Sequence, residues 1–360
     1  MNSDPKILQR SINQEYSLIQ SLKIMDSTGF RSLIVVNSEG LFEGILSIGD
    51  IQRAIIANMP LDVVVSKVMR KNPRIAHSDT PIEYIKQEML QFRMEFIPVV
   101  DESSRIINIY FWDELFIAQK LPPQKLFDLP VVVMAGGEGT RLKPLTNVIP
   151  KPLLPIGEKT IIEEIFDRFG AHGCTNFYVS INYKAELIKY YLESLHLPLT
   201  IKLIKENKPL GTAGSLQLLS NKIDSTFFVT NCDILIEQDY SEILDYHKSN
   251  KNVITLVAVL KHIAIPYGTL ETGNNGQLMR LTEKPDITFK INSGMYILEP
   301  QLLKEIPENN FFHITHLIDK VKGQGGRVGV FPVSEKSWSD IGDWDVYLNS
   351  LSLKGQIGST

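Results

Sequence analysis

The chain has 360 residues, 43% of them hydrophobic, enough for about two domains with separate cores. Its 37 basic and 41 acidic residues leave a formal charge of -4, which excludes a bulk positive field that would draw it onto nucleic acid or an anionic membrane. The two cysteines, Cys174 and Cys232, have no metal-ligand or redox spacing, so they read as core thiols of a reducing compartment rather than a disulfide framework. The N-terminal MNSDPKILQR lacks an apolar signal segment, and no run reaches the roughly 18 apolar residues of a membrane span. The expectation is a cytoplasmic protein in which any phosphate handling is local.

From the N-terminus, the segment from Ser17 to Ala54 carries a helical pattern, the strand-like LIVV, a turn at Ser38-Glu39-Gly40, a second strand GILSI and a helix opening at Asp50. The order then recurs: a helix over Ile82 to Leu90, a strand Ile97 to Val100, a turn Asp101 to Ser104, a strand Ile106 to Phe111 and a closing helix Trp112 to Lys120. Val35-Val36-Asn37 aligns with Val99-Val100-Asp101, 64 residues on, and two copies make a paired module rather than a long array. This half resembles a tandem of CBS motifs, a β-α-β-β-α unit that often binds adenosine nucleotides in its clefts. Ser47 and Asp50 in SIGD match the phosphate- and ribose-binding positions of that family. The second copy departs from the pattern, with Phe111 and Glu114 in FWDE. The competing reading of Ser47 and Asp50 is a helix N-cap, which suffices to explain them.

The segment LPPQKLFDLP, residues 121–130, holds three prolines ahead of a β-branched run. It predicts a boundary, with a first domain over 1–122, a linker over 123–129 and a second domain over 130–360. The second domain alternates VVVMA, the helix IIEEIFDRFG, FYVSI, a helix from Lys184 to Leu195, TIKLI, a helix after Gly214, FFVTN, SEILDYHKSN and VITLVAVL. Such alternation builds βαβ units on a mostly parallel, Rossmann-like sheet whose ligands bind beyond the carboxyl ends of the strands. The chemistry is therefore expected just after VVVMA and just after FFVTN.

After VVVMA comes the loop Ala135-Gly136-Gly137-Glu138-Gly139-Thr140-Arg141, whose glycines let backbone N–H groups approach an anion. A GxGxxG reading would need Gly at Leu142, and the Gly-Lys-Ser/Thr end of a P-loop is absent. A plain flexible turn explains the glycines but not Arg141 or the proline brace around Lys151, where Pro150 and Pro152 pre-set the backbone. The run GGEGTRLKPLTNVIPKPLLPIGEKTIIE closely resembles the signature of the sugar-1-phosphate nucleotidyltransferases, and the resemblance extends from about Pro130 to Tyr347. It implies a GT-A-like mixed sheet and binding of nucleotide by Ala135, Gly136, Gly137, Gly139 and Thr140, with Arg141 and Lys151 as catalytic cations.

Later blocks follow the family's order. ENKPLGTAGS resembles the base-reading loop, implying nucleotide contacts at Glu206, Leu210, Gly211 and Thr212, although GTAG alone would also start a helix. Asp233 in TNCDIL and Asp340 in WSDIGDWDVY match the two carboxylates that hold Mg²⁺ beside the phosphates. Either alone is more often a strand-end cap or a surface charge, and it is their place in the ordered set that favours metal binding. Gly268, Glu283, Asn292 and Gly294 match sugar-binding positions and Lys284 the residue facing the sugar phosphate. Their bland readings are a surface lysine at Lys284 and a turn at Asn292. Asp343-Trp344 departs from the Thr-Pro that often follows the second metal block, which leaves the next helix start open. The chain ends shortly after Tyr347, so no β-helical acyltransferase domain and no acetyl transfer are expected.

The reaction implied is attack of a sugar 1-phosphate on the α-phosphorus of a nucleoside triphosphate, with Mg²⁺ as cofactor and no general base. PLGTAG is similar to the mannose-1-phosphate guanylyltransferases, which favours GTP. The CBS pair joined to this domain resembles the glucosamine-1-phosphate guanylyltransferases of legionaminic acid synthesis. Mannose 1-phosphate and a UTP-using relative are the alternatives. A nucleotide sensor with an inert catalytic half, or a CBS scaffold, are the non-enzyme readings. The partners expected are GTP, a sugar 1-phosphate, an adenosine nucleotide at the CBS module and a second copy of the chain in a homo-oligomer.

Overall fold

A computed structural model of the chain describes residues 5–116 and 123–355. The chain divides into two compact units, Met1–Gln124 and Lys125–Thr360.

In the first unit, α1 (Pro5–Arg10), β1 (Ser11–Asn13), α2 (Leu18–Thr28), β2 (Ser32–Val36), β3 (Phe42–Ser47) and α3 (Ile48–Ile56) form one copy. The second copy comprises α4 (Ile82–Phe92), β4 (Phe96–Val100), β5 (Ile106–Phe111) and α5 (Trp112–Leu115). Leu18, Leu22 and Met25 bury one stripe of α2, which starts with a Ser17/Gln20 capping box and stops at left-handed Gly29 (φ 77°). The repeat of 64 residues holds to the register. Leu33 lies opposite Leu46 and Ile97 opposite Tyr110, and each hairpin carries its bulge at the same place, between Val35 and Val36 and between Val99 and Val100. Ile12 pairs in parallel with Val35 as Ala76 does with Val99. Ile34 and Ile45 of one copy share a core with Phe96, Val100, Ile106 and Ile109 of the other, so neither buries its apolar face alone.

Two expectations are corrected here. The helix after GILSI opens at Ile48, not Asp50: Ser47 is the N-cap and Asp50 the third residue of its capping box. The closing helix begins at Trp112 as expected but ends at Leu115, and residues 117–120 of that expectation lie outside the described residues.

In the second unit, β6 (Val131–Ala135), β7 (Pro155–Ile156), β8 (Lys159–Thr160), α6 (Ile161–Gly170), β9 (Asn176–Ile181), α7 (Ala185–Ser194) and β10 (Thr200–Lys205) come first. They are followed by β11 (Phe227–Asn231), β12 (Ile234–Ile236), α8 (Tyr240–Ser249), β13 (Ile254–Ala264), β14 (Thr269–Thr272), β15 (Leu278–Thr282) and β16 (Asp286–Leu298). The unit closes with α9 (Ile314–Gly323), β17 (Val328–Ser334), β18 (Trp338–Asp340) and α10 (Trp344–Gly355). The main sheet runs β10-β9-β6-β11-β16-β13-β17, parallel throughout except for β16, which is antiparallel to both neighbours. Buried clusters on its two faces make it a layered α/β unit.

The segment after Gly214 is a 3₁₀ turn, Gly214–Leu219, rather than the expected α-helix, because its start is tied to a neighbouring loop described below. Part of the expected linker is also built into this unit. Phe127 stacks on Phe228 at 5.5 Å and its N–H donates to the His172 carbonyl at 2.7 Å, while Asp128 accepts from Thr175 N–H at 3.2 Å. An apolar ring buries more favourably there than it would in a solvated tether.

Phe228 also meets Phe169 at 5.3 Å and Tyr240 at 6.2 Å. Phe228→Ala is expected to cost about 3–5 kcal/mol and to lower the melting temperature of the second unit by roughly 10 °C. Calorimetry checks this, and an unchanged melting profile would contradict the packing of Phe228.

Candidate active site

The ends of β6 and β11 are adjacent, since Thr230 and Asn231 pair with Val133 and Met134. The loop after β6 and the Cys232-Asp233 step after β11 therefore open side by side. The glycines of the first loop serve different ends. A Cβ on Gly136 would stand 2.8 Å from Glu206 Oε1, so a neighbouring wall demands glycine, whereas Gly137 has nothing within 4 Å and faces open space. Gly139 is left-handed (φ 64°) and its carbonyl accepts from Thr146 Oγ1 at 2.9 Å. Thr140 and Arg141 then lie on a 3₁₀ turn, Thr140–Leu142, anchored by fully buried Leu142.

The proline brace does what its chemistry predicts. Pro150 is extended (φ -63°, ψ 144°), and Lys151–Leu153 form a 3₁₀ turn that carries Lys151 inward to 7% exposure. An ammonium so buried requires an anion, and Asp233 pairs with it.

Asp340 arrives from the far end of the unit. β12 pairs antiparallel with β18, Ile234 opposite Asp340, and Ile341 N–H donates to the Asp233 carbonyl at 2.9 Å. Arg141 spans both carboxylates, with Nη1 2.9 Å from Asp340 Oδ2, Nη2 3.3 Å from Asp340 Oδ1 and Nη2 3.7 Å from Asp233 Oδ2. The hydrogen bond to Asp340, and then the fields of Asp340, Asp233 and Asp343, hold the Arg141 guanidinium above its already high value. Arg141, Lys151, Asp233 and Asp340 thus form one cluster of two cations and two anions.

Gly342 closes the cluster, and it is the residue that a reading of side-chain chemistry passes over. Its N–H donates to Asp340 Oδ1 at 2.9 Å, and a Cβ there would overlap the Lys151 ammonium and stand 2.6 Å from Arg141 Nη2. The WSDIG block held the signal, as a glycine two residues beyond a carboxylate. Among the described residues no cluster of three or more metal-ligating side chains occurs. Two carboxylates nevertheless suit a hard cation that takes its other ligands from phosphate oxygens and water.

Glu206, expected among the nucleotide contacts, lies in the wall beside Gly136. Its carboxylate points inward: Oε1 accepts from the Ser180 hydroxyl at 2.5 Å and Oε2 from Leu210 N–H at 3.1 Å. Glu206 thereby ties the 206–212 loop to the wall behind Gly136, and Ser180, which sequence reasoning missed, completes the tie. Gly211 is left-handed (φ 81°), with the Phe312 carbonyl 2.8 Å from where a Cβ would lie. Phe312 N–H donates to the Leu210 carbonyl at 2.9 Å, and Ala213 and Gly214 N–H donate to the Phe312 carbonyl at 3.0 and 3.1 Å. These bonds fix the start of the 3₁₀ turn. The Thr212 hydroxyl accepts from Ile314 N–H at 3.0 Å, at the start of α9, and lies 3.3 Å from His313 Nδ1.

The expected sugar-side residues form a second group. Gly268 and Glu283 adjoin at the root of the β14–β15 hairpin, the Glu283 carboxylate 3.0 Å from a Cβ on Gly268. Lys284 follows in left-handed backbone (φ 44°), exposed. Beyond the root, Leu270, Met279 and Leu281 stand more than half exposed. Asn292 lies within β16, where the pairing with β13 shifts register, rather than in a turn; it accepts from Gly294 N–H at 3.1 Å and donates to the Tyr296 hydroxyl at 2.6 Å. Gly294 (φ 87°) lies against Asn231 at the end of β11. Asn292 and Gly294 thus adjoin the cluster's strand, whereas Gly268, Glu283 and Lys284 stand on the hairpin.

In the first unit, the Asp50 carboxylate is fully engaged. It accepts from Ser47 N–H at 2.8 Å and from the Ser47 hydroxyl, and it pairs with Arg53 and with Arg70 at 3.1 Å.

A family profile described as Nucleotidyl transferase matches residues 130–354, and the CBS domain profile matches residues 1–57 and 65–116. A mannose-1-phosphate guanyltransferase of Neurospora crassa is 31% identical over 244 residues, covering 63% of this chain and 66% of that protein. The mannose-1-phosphate guanylyltransferase 1 of Arabidopsis thaliana is 30% identical over 234 residues, covering 62% of this chain and 64% of that protein. The chain thus spans just under two thirds of the length of these curated relatives. A Bacillus anthracis structure in complex with sucrose, named provisionally as a glucose-1-phosphate thymidylyltransferase, shares the fold at a TM-score of 0.50 and 17% identity. The alignment covers 64% of this chain and 97% of that one.

Cys232, next to Asp233, is buried, and desolvation with the Asp233 charge pushes its thiol up to about 12; burial pushes Cys174 up to about 12 as well. A thiol whose pKa lies some four units above pH 8 is only about 0.01% thiolate there. Neither cysteine should react with Ellman's reagent at pH 8 in the folded protein, and both should react in guanidinium chloride. Rapid labelling of one thiol in the folded state would contradict this packing.

Proposed function

The chain belongs to the nucleotidyl transferase family, and on that premise we propose that it transfers a nucleoside monophosphate from a nucleoside triphosphate to a sugar 1-phosphate, releasing pyrophosphate. The observation that carries this reading is the four-residue cluster of Arg141, Lys151, Asp233 and Asp340 at the carboxyl ends of β6 and β11. An inert domain has no physical reason to keep two cations converging on two buried or half-buried carboxylates beside an open glycine loop. That disfavours a pure sensor or scaffold.

In the proposed reaction an oxygen of the sugar phosphate forms a bond to the α-phosphorus, the α–β bridging bond breaks and pyrophosphate leaves with the electron pair. The nucleophile is already an anion, so the residues' task is alignment and charge neutralisation. The backbone from Ala135 to Thr140 receives the triphosphate, with open Gly137 giving the closest approach. Arg141, half-exposed, reaches the β- and γ-phosphates; Lys151, held on its proline brace, faces the reacting phosphate. Lys284 neutralises the sugar phosphate, and Glu283, Gly268, Asn292 and Gly294 serve the sugar hydroxyls. Asp233 and Asp340 would hold Mg²⁺, which when bound supplies charge neutralisation on the phosphates. Glu206 acts through Leu210, setting the loop whose backbone at Leu210, Gly211 and Thr212 reads the base.

GTP is our assigned donor, supported by PLGTAG and by the guanylyl transfer in the names of the relatives. For the acceptor, those names support mannose 1-phosphate, while the union with a CBS pair supports glucosamine 1-phosphate and a role in supplying nucleotide sugar for legionaminic acid. Such substrates imply a cytoplasmic location. No described helix is long and apolar enough to cross a membrane. We take residues 1–122 as the CBS module and 130–360 as the catalytic domain. We assign the CBS module to homo-oligomer formation or nucleotide-linked control; an adenosine nucleotide there would have to draw Arg53 and Arg70 away from Asp50.

A coupled pyrophosphate assay with GTP, UTP, CTP, ATP and dTTP against mannose 1-phosphate, glucosamine 1-phosphate and glucose 1-phosphate tests the reaction and its selectivity. GTP with one of the first two should give the highest kcat/KM. Lys151→Ala should lose about 2.7–4 kcal/mol of transition-state stabilisation, roughly 10²–10³ in kcat, by the precedent of a preorganised electrostatic donor. Near-normal turnover in that variant would remove Lys151 from the chemistry, and absence of pyrophosphate with every pair would remove the enzyme reading.

A further inference from the structure

The cations of the cluster stand where a metal ion would have to bind. Three of the four carboxylate oxygens already carry a cationic contact: Asp340 Oδ2 to Arg141 Nη1 at 2.9 Å, Asp340 Oδ1 to Arg141 Nη2 at 3.3 Å, and Asp233 Oδ2 to Lys151. Asp340 Oδ1 takes the Gly342 N–H as well. Two positive charges balance the two carboxylates themselves, with Asp343 acting from farther off on Arg141, so the ligand-free pair offers a divalent cation little of its charge. A cation entering alone would meet Arg141 and Lys151 at close range, and the repulsion is least screened at Lys151, whose side chain is 9% exposed.

The two cations differ in how they leave. The Arg141 side chain is 57% exposed, so its charge stays hydrated when it swings away from the carboxylates. That of Lys151 is 9% exposed, with its ammonium pressed against the Gly342 backbone. Leaving Asp233 for nothing would strand a buried charge, so Lys151 moves only when another anion is delivered to it. The open space at Gly137, on the loop between β6 and Arg141, is where a polyphosphate would deliver that anion.

We infer that Arg141 and Lys151 keep Asp233 and Asp340 closed to metal in the ligand-free enzyme, and that a triphosphate opens them by taking both cations onto its own oxygens. Divalent cation and nucleotide then bind as a thermodynamically coupled pair. Linkage makes the coupling reciprocal: if nucleotide raises metal affinity, metal raises nucleotide affinity by the same factor, and couplings of this kind are typically about 5–150-fold. Without metal, an arriving triphosphate strips the cations and faces two bare carboxylates, which repel it. This inference rests on the reading of Asp233 and Asp340 as metal ligands, and it adds that the same residues are unavailable to metal until the nucleotide arrives.

The test measures binding on the full chain without turnover, using Mn²⁺ and, in the absence of sugar phosphate, GTP. Free Mn²⁺ is followed by electron paramagnetic resonance and GTP affinity by calorimetry. The nucleotide-free wild type should bind Mn²⁺ at least tenfold more weakly than Arg141→Ala or Lys151→Met. Arg141→Ala serves if the buried Lys151 variant loses its fold, because the guanidinium is largely solvated. Adding Asp233→Asn to Arg141→Ala should abolish the gained site. For the wild type, Mn²⁺ should tighten GTP binding at least tenfold. Equal Mn²⁺ affinity in nucleotide-free wild type and Arg141→Ala, with the site still lost on Asp233→Asn, would overturn the inference while leaving the carboxylates as metal ligands. Mn²⁺ binding indifferent to Asp233→Asn both with and without GTP would overturn the metal assignment and the inference with it.

Discussion

The short pairing of β12 with β18 is the constraint on which the rest of the site depends. Asp233 sits one residue before β12 and Asp340 is the last residue of β18, so the register that sets Ile234 opposite Asp340 also sets the two carboxylates side by side. Each strand is three residues long and would not persist alone. It is held because β11 delivers one strand from the centre of the main sheet, while β17, at the sheet's other edge, delivers the second through the Glu335–Ser337 turn. The reversed strand β16 lies between β11 and β13, and its Gly294 packs on Asn231 just before the carboxylate. Sheet order thus carries three distant parts of the sequence to one spot.

That arrangement also accounts for the glycines. At Gly136, Gly211 and Gly342 a Cβ would meet the Glu206 carboxylate, the Phe312 carbonyl and the Lys151 ammonium respectively. Each is a point where two loops from different strands must touch. Gly137, with open space around it, is the exception, and it faces the side from which an anion would come.

Much of this was legible in the sequence, and the boundary of legibility is physical. The 64-residue repeat could be read because side-chain alternation and turn chemistry are local. The structure reproduces it down to matching bulges at Val35/Val36 and Val99/Val100. The strand-then-loop position of Gly136 to Arg141 and the proline brace at Lys151 were legible for the same reason. Contacts closed only by tertiary register were not. Nothing local says that Glu206 turns inward to Ser180 and Leu210, that the Thr212 hydroxyl accepts from Ile314 N–H, or that Gly214 opens a 3₁₀ turn pinned by Phe312. Asp50 shows the opposite case: its capping box with Ser47 is closed by local chemistry, while the two arginines on its other oxygen come one from the neighbouring turn and one from a residue twenty positions on.

The two halves of the site are built to different standards. The Arg141–Asp340 cluster rests on a seven-stranded sheet and a web of backbone bonds, but Gly268, Glu283 and Lys284 hang on the β14–β15 hairpin, two strands with Leu270, Met279 and Leu281 exposed. An isolated two-stranded ribbon is only marginally stable in water. The unit is therefore a rigid anvil with a soft hammer: the four-residue cluster stands on the main sheet, while the side chains we propose for the acceptor stand on an apolar ribbon with little packing of its own. On the function proposed above, drift in the hairpin's sequence would retune the acceptor at little cost to folding. The same drift in the sheet-borne loops would be felt by the whole unit.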